Sequence, residues 1–142
     1  MHDSGVKVGI GTDIAGGASP SILTNCHMAV TASRALEDGT DPNKPESSRG
    51  TADARIDYRE AFWMATTGGA EVLGIDAGQF RAGLSFDAII IDTTAEGSNV
   101  YVDDAMDEPE DVLQKIIYNA SRQNVSRVWV KGRQVSGRGH GN

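Results

Sequence analysis

The chain has a single cysteine, Cys26, among 142 residues. That count excludes an intrachain disulfide framework and fits a reducing compartment. No apolar run approaches the ~18 residues of a membrane-spanning helix, and the first residues carry no apolar secretion segment. Basic residues are also scarce: 13 Lys and Arg stand against 20 Asp and Glu, for a net charge of −7 and a pI near 4.8. This balance argues against a nucleic-acid backbone or an anionic membrane surface as partner. The expectation is a soluble cytoplasmic chain. Asn119-Ala-Ser121 and Asn124-Val-Ser126 match glycosylation acceptors and, without a secretion signal, read as chance.

Familiar chemical signatures are missing too. From Gly9 the dinucleotide pattern needs a glycine where Ile14 stands, and a phosphate loop begun at Gly11 meets Gly17 where lysine is required. The three histidines, His2, His27 and His140, share no metal-ligand spacing, and His27 beside Cys26 would point about 100° away from it on a helix. His27 reads as a helix-surface or partly buried side chain. The acidic stretch from Asp103 to Asp111 lacks calcium-loop spacing and reads as a solvated face. Asp53, Asp57, Asp87 and Asp92 read as solvated or strand-terminal.

What is present is enough for one domain with a sizeable core: 39% of residues are hydrophobic and 23% charged. Val6, Val8 and Ile10 alternate with small or charged residues, which predicts a strand over Val6–Gly11 ending at Thr12-Asp13. Ser19-Pro20-Ser21 predicts a helix start, with Ser19 as cap and Pro20 as first helical residue, followed by an apolar face to about Leu36. Glu37 to Arg55 predicts a long polar loop of the lid or insertion kind. A second amphipathic helix begins near Tyr58 and is crossed by Gly68-Gly69, a break or a point of tight packing. "FDAIIID" predicts a strand, "PEDVLQKIIYNA" a third helix with acids at its start, and "RVWVKGRQVSG" a hairpin turning at Lys131-Gly132. The tail after Gly137 has little to pack and is expected to fray. On the residues alone, Asp13 is either a turn residue accepting backbone N–H bonds or a carboxylate at a strand end, where parallel α/β folds place their chemistry.

"GTDIAGGASPSIL", "REAFWMATTGGAEVLGID", "GQFRAGLSFDAIIID" and "VSRVWVKGRQV" together resemble guanine deaminases of the metal-dependent amidohydrolase superfamily. The first is similar to their segment after the eighth barrel strand, the last to their closing hairpin, and nearly the whole chain aligns with roughly the last third of such an enzyme. The resemblance implies an α/β fold: a C-terminal fragment of a (β/α)8 barrel with strands of the flanking small β-domain. Residues 1–76 would be the last barrel strand and its helices, and residues 77–142 the return strands, a helix and the closing hairpin. It implies hydrolysis of guanine to xanthine and ammonia with zinc, guanine as small-molecule partner, and a homo-oligomer. Asp13 would be both metal ligand and proton-handling catalytic residue, with Thr12 supporting its geometry. The family's His-x-His strand, its two further histidines and its glutamate proton shuttle have no counterpart here, so a fragment inactive by itself is expected. Two alternatives remain: another amidohydrolase acting on a cyclic amidine or purine, or a non-catalytic truncated paralogue that binds or oligomerises.

Overall fold

The computed structural model describes residues 5–13 and 16–137. His2, His140 and the tail from residue 138 lie outside the described residues. Helix α1 spans Ile22–Asp38, α2 Tyr58–Ala65, α3 Thr67–Leu73 and α4 Pro109–Asn119; strands are β1 Ala88–Ile91, β2 Val125–Val130 and β3 Arg133–Gly137.

The α1 cap is Ser21, whose hydroxyl accepts from the Thr24 N–H, and Pro20 stands outside the helix. Ser19 was expected in that role; its hydroxyl instead accepts from the N–H of Ser21 and closes a local turn before the helix. Gly39 ends α1 at φ 73°. The polar loop then folds back on the helix it left. Thr51 donates to the Leu36 carbonyl, and the Arg55 guanidinium lies 2.8 Å from Glu37 and 2.7 Å from Asp38. Asp57 and Glu60 start α2 with a reciprocal capping box.

The core is a three-helix contact: Cys26 and Val30 from α1, Ala61 from α2 and Ile117 from α4 are all buried. Ile10, Leu23, Phe62 and Leu113 pack around them. Cys26 is fully buried. Its thiol donates to the Ala61 carbonyl, and burial pushes its pKa up, which keeps it protonated and unreactive.

The three strands form one antiparallel sheet in the order β1-β2-β3. Ala88 faces Trp129 and Ile90 faces Arg127, with a bulge before Ile91. The expected hairpin turn is present. Lys131 at φ 50° and Gly132 at φ 75° give the two left-handed residues that match the twist of the flanking strands. The Lys131 N–H donates to the Asp87 carboxylate and that of Gly132 to the Phe86 carbonyl, which ties the turn to the start of β1.

Val6–Gly11 is not a strand, contrary to the expectation from its alternation. No other strand runs beside it among the described residues, and a ladder needs a neighbour. The segment is held by helices instead. Ile10 donates to the Met64 carbonyl at 3.1 Å, and Gly9 lies so close to Gly69 that an added Cβ would sit 3.0 Å from its Cα. The helix break falls at Thr66, between α2 and α3, where the Thr66 hydroxyl bonds back to the Phe62 carbonyl. The double glycine sits inside α3 and serves close packing. A Cβ on Gly68 would lie 2.8 Å from the Val8 carbonyl and 2.7 Å from Trp63 Cζ3. Alanine is the better helix former by about 1 kcal/mol, yet the clash involves backbone that cannot move alone. Gly68→Ala is therefore expected to destabilise by about 1–3 kcal/mol net, read as a lower thermal midpoint.

Candidate functional site

Asp13 stands where the Val6–Gly11 segment ends and a tight loop begins. Its backbone is left-handed, at φ 45°, a region few side chains adopt outside Asn and Asp. Its carbonyl accepts from the N–H groups of Gly16, at 2.7 Å, and Gly17, at 2.5 Å. Gly17 is needed for this, and Gly16 leaves room for the carboxylate. A Cβ on Gly16 would come within 2.7 Å of Asp13 Oδ2, and one on Gly17 would overlap the Thr12 carbonyl. The loop therefore closes on the main chain of Asp13 and leaves its side chain at the surface. The Thr12 hydroxyl makes no hydrogen bond among the described residues; it is the Thr12 carbonyl that packs against Gly17.

The other carboxylates serve the scaffold. Asp57 caps α2, Asp87 accepts from the hairpin turn, and Asp92 Oδ1 accepts from the N–H and hydroxyl of Thr94. In the acidic stretch, Asp107 accepts from the Asp103 N–H and from Lys115 Nζ at 2.5 Å. The Lys115 hydrogen bond, aided by backbone donation near Asp103, holds the Asp107 pKa below its ordinary value. A carboxylate with a depressed folded pKa stabilises the fold above its unfolded pKa and stops doing so as pH falls through the folded value. The 103–107 turn is expected to loosen below about pH 4, and Lys115→Met to weaken that acid dependence. Amide exchange at Asp103 and Met106, measured at pH 7 and pH 3, reads it.

His27 is exposed on α1, its ring tilted at 46° against that of Tyr118 with centroids 4.4 Å apart, as a surface histidine would be. Among the described residues no three His, Cys, Asp or Glu side chains gather to hold a metal ion. Asp13 can offer one ligand, and one carboxylate does not make a metal site. These residues by themselves do not fit a bound metal. A concavity of about 640 Å³ lies between Ile75, Leu84, Phe86 and Lys131, far in sequence from Asp13. No helix among the described residues is long and apolar enough to cross a membrane.

Two polar side chains whose structural roles the sequence did not show shape the structure. Asn25, on α1, donates to the carbonyls of Gly11 and Ser19, on either side of the Asp13 loop. Asn124 is wholly buried and joins the end of β1 to the start of β2. Asn25 belongs to no motif and Asn124 only to a chance glycosylation match; an asparagine reveals its partners only in three dimensions.

Residues 1–135 match the amidohydrolase family. The chain is 36% identical over 139 residues to a probable guanine deaminase of Schizosaccharomyces pombe, covering 96% of this chain and 25% of that protein. It is 38% identical over 135 residues to the guanine deaminase of Homo sapiens, covering 92% and 28%. Among solved structures, guanine deaminase from C. acetobutylicum with guanine bound in its active site superposes with a TM-score of 0.73 at 26% identity, over 95% of this chain and 28% of that one. The E. coli enzyme gives 0.69 at 27% identity, over 94% and 28%. The chain thus spans about a quarter of the length of the relatives it matches. With the family pattern extending over 1–135 and the fold shared with these structures, the chain belongs to the amidohydrolase family.

Proposed function

We propose that this chain forms part of a guanine deaminase, which adds water to guanine and releases xanthine and ammonia. The observation that carries the reading is Asp13: an exposed carboxylate on a loop closed by its own carbonyl, at a left-handed backbone position. Residues in such sparsely populated conformations cluster at functional sites. A structural relative that holds guanine supports the choice of substrate.

The reaction moves protons at two points. Water must lose one as it attacks the ring carbon, and the departing amine must gain one. A single carboxylate can do both, taking the proton from water and returning it to nitrogen. In this reading that carboxylate is Asp13. Gly16 and Gly17 put no side chain beside the carboxylate. The cofactor implied by the resemblance is zinc, with Asp13 as one ligand and the others brought by polypeptide outside these residues. Residues 1–76 would then supply the barrel's last segment and helices, and 77–142 the flanking β-domain. A homo-oligomer and a cytoplasmic location complete the reading.

The test is reconstitution. The purified chain with zinc alone is expected to form no xanthine from guanine, because one carboxylate does not retain the metal. Mixing or joining it with the three quarters of a relative that it does not match should bring xanthine formation. Stoichiometric zinc and turnover by the 142-residue chain alone would overturn the partial-site reading. A reconstituted enzyme that deaminates another cyclic amidine but not guanine would overturn the substrate.

A further inference from the structure

We infer that Asn25 is a positioning residue, which sets the Asp13 loop by tying its two ends together; the functional part of this inference rests on the reading of Asp13 above. Asn25 stands in the second turn of α1, and helical side chains lean toward the helix N-terminus. The lean carries its amide back over the loop that precedes the helix. There the one Nδ2 group donates to the Ser19 carbonyl at 3.1 Å and to the Gly11 carbonyl at 3.4 Å. Gly11 lies two residues before Asp13 and Ser19 two residues before the helix cap. A single NH2 group therefore bridges the start and the end of the loop.

The residue type fits this task and fits no helical one. Asparagine is a poor helix former, because its amide competes with the backbone, and a helix interior gains nothing from it. An NH2 with two hydrogens matches two carbonyl acceptors that have no other donor aimed at them in common. Ala, Ser or Asp could not make both bonds. Among the described residues, the loop's own backbone hydrogen bonds run from Gly16 and Gly17 back to Asp13. Those bonds shape the turn around Asp13, and Asn25 fixes where that turn sits against α1.

Asn25→Asp separates the two roles. A carboxylate near the start of α1, whose first turn has no acid, favours the helix dipole. Facing two carbonyl oxygens, the same carboxylate repels the loop ends. A residue that served only the helix would thus be improved by the change that a positioning residue does not tolerate. The experiment is hydrogen exchange by NMR on the full chain at pH 7, comparing wild type, Asn25→Ala and Asn25→Asp. The amides of Gly16 and Gly17 should exchange at least about tenfold faster in both variants, while those of Val30 and Ser33 in α1 keep their protection. Unchanged exchange at Gly16 and Gly17 in both variants would overturn the proposal, as would slower exchange there in Asn25→Asp. Should Asn25→Ala lose the helix, Asn25→Asp decides alone. In the reconstituted enzyme, kcat for guanine should fall in Asn25→Asp with KM little changed. Turnover that does not depend on Asp13 would instead sink the catalytic reading of Asp13, a result separate from the exchange measured in the chain.

Discussion

Asp13→Asn is expected to lower the turnover of guanine by the reconstituted enzyme by at least about two orders of magnitude, the low end of what general acid–base catalysis supplies. Asparagine has almost the same shape and tolerates the left-handed backbone as well as aspartate does. Its carbonyl oxygen still accepts a hydrogen bond. The bonds from Gly16 and Gly17 end on the main-chain carbonyl of residue 13, so the loop has no reason to change. What disappears is basicity. An amide takes no proton from water near neutral pH, and has none to return to the amine. The measurement is kcat for guanine beside thermal unfolding and metal content of the same preparation. Turnover near wild type would reduce Asp13 to a turn residue. A fall in kcat with the unfolding midpoint and metal content unchanged assigns it the proton. A stable enzyme that lost its metal would assign it the ligand role.

The largest effect on stability is expected at Asn124. This side chain is fully buried, and each of its polar atoms is used. Nδ2 donates to the Asp92 carbonyl at 2.9 Å and to Ser98 Oγ at 2.8 Å, while Oδ1 accepts from the Ser121 N–H at 2.9 Å. Its own carbonyl accepts from the Asp92 N–H at 2.7 Å. The amide thereby joins the end of β1, the 92–98 turn and the link from α4 to β2. Asn124→Ala removes these three side-chain hydrogen bonds and leaves a hole where the buried amide stood. Each lost bond is worth about 0.5–1.5 kcal/mol, so the three together should cost about 3 kcal/mol. For a domain of this size that is a fall of roughly 10 °C in Tm. A shift of a degree or two would mean that water enters and replaces the amide. Asn124→Asp should be worse at pH 7 than at pH 4.5. A buried carboxylate without a charged partner has a raised pKa, so its penalty grows as pH rises.

Much of this architecture was legible in the chain because its signals are local. Glu108, Pro109 and Asp111 start α4 where a proline and early acids predict a start. Lys131-Gly132 turns the hairpin with the backbone such a turn requires. The Val6–Gly11 segment was misread for the complementary reason. Alternation reports which faces a strand would bury and says nothing about whether a neighbour exists to complete its ladder. Gly68-Gly69 was read as a break or a point of tight packing; it serves the packing, and the partner, Val8-Gly9, is some sixty residues away. Asp13 itself stood out by its motif. The amide of Asn25 did not, since asparagine in a helix has no spacing rule that ties it to a loop before the helix.

The core has a consequence for how the chain comes into being. Cys26, Val30 and Ala61 meet Ile117, so the residue that seals the α1–α2 face is made long after the face itself. During synthesis, α1 and α2 leave the ribosome with that face uncovered until α4 follows, and domains are made at only ~5–20 residues per second. Over that interval the apolar side chains of α1 and α2 that meet Ile117 wait for it. A stop codon before Pro109 would leave the pair uncovered for good.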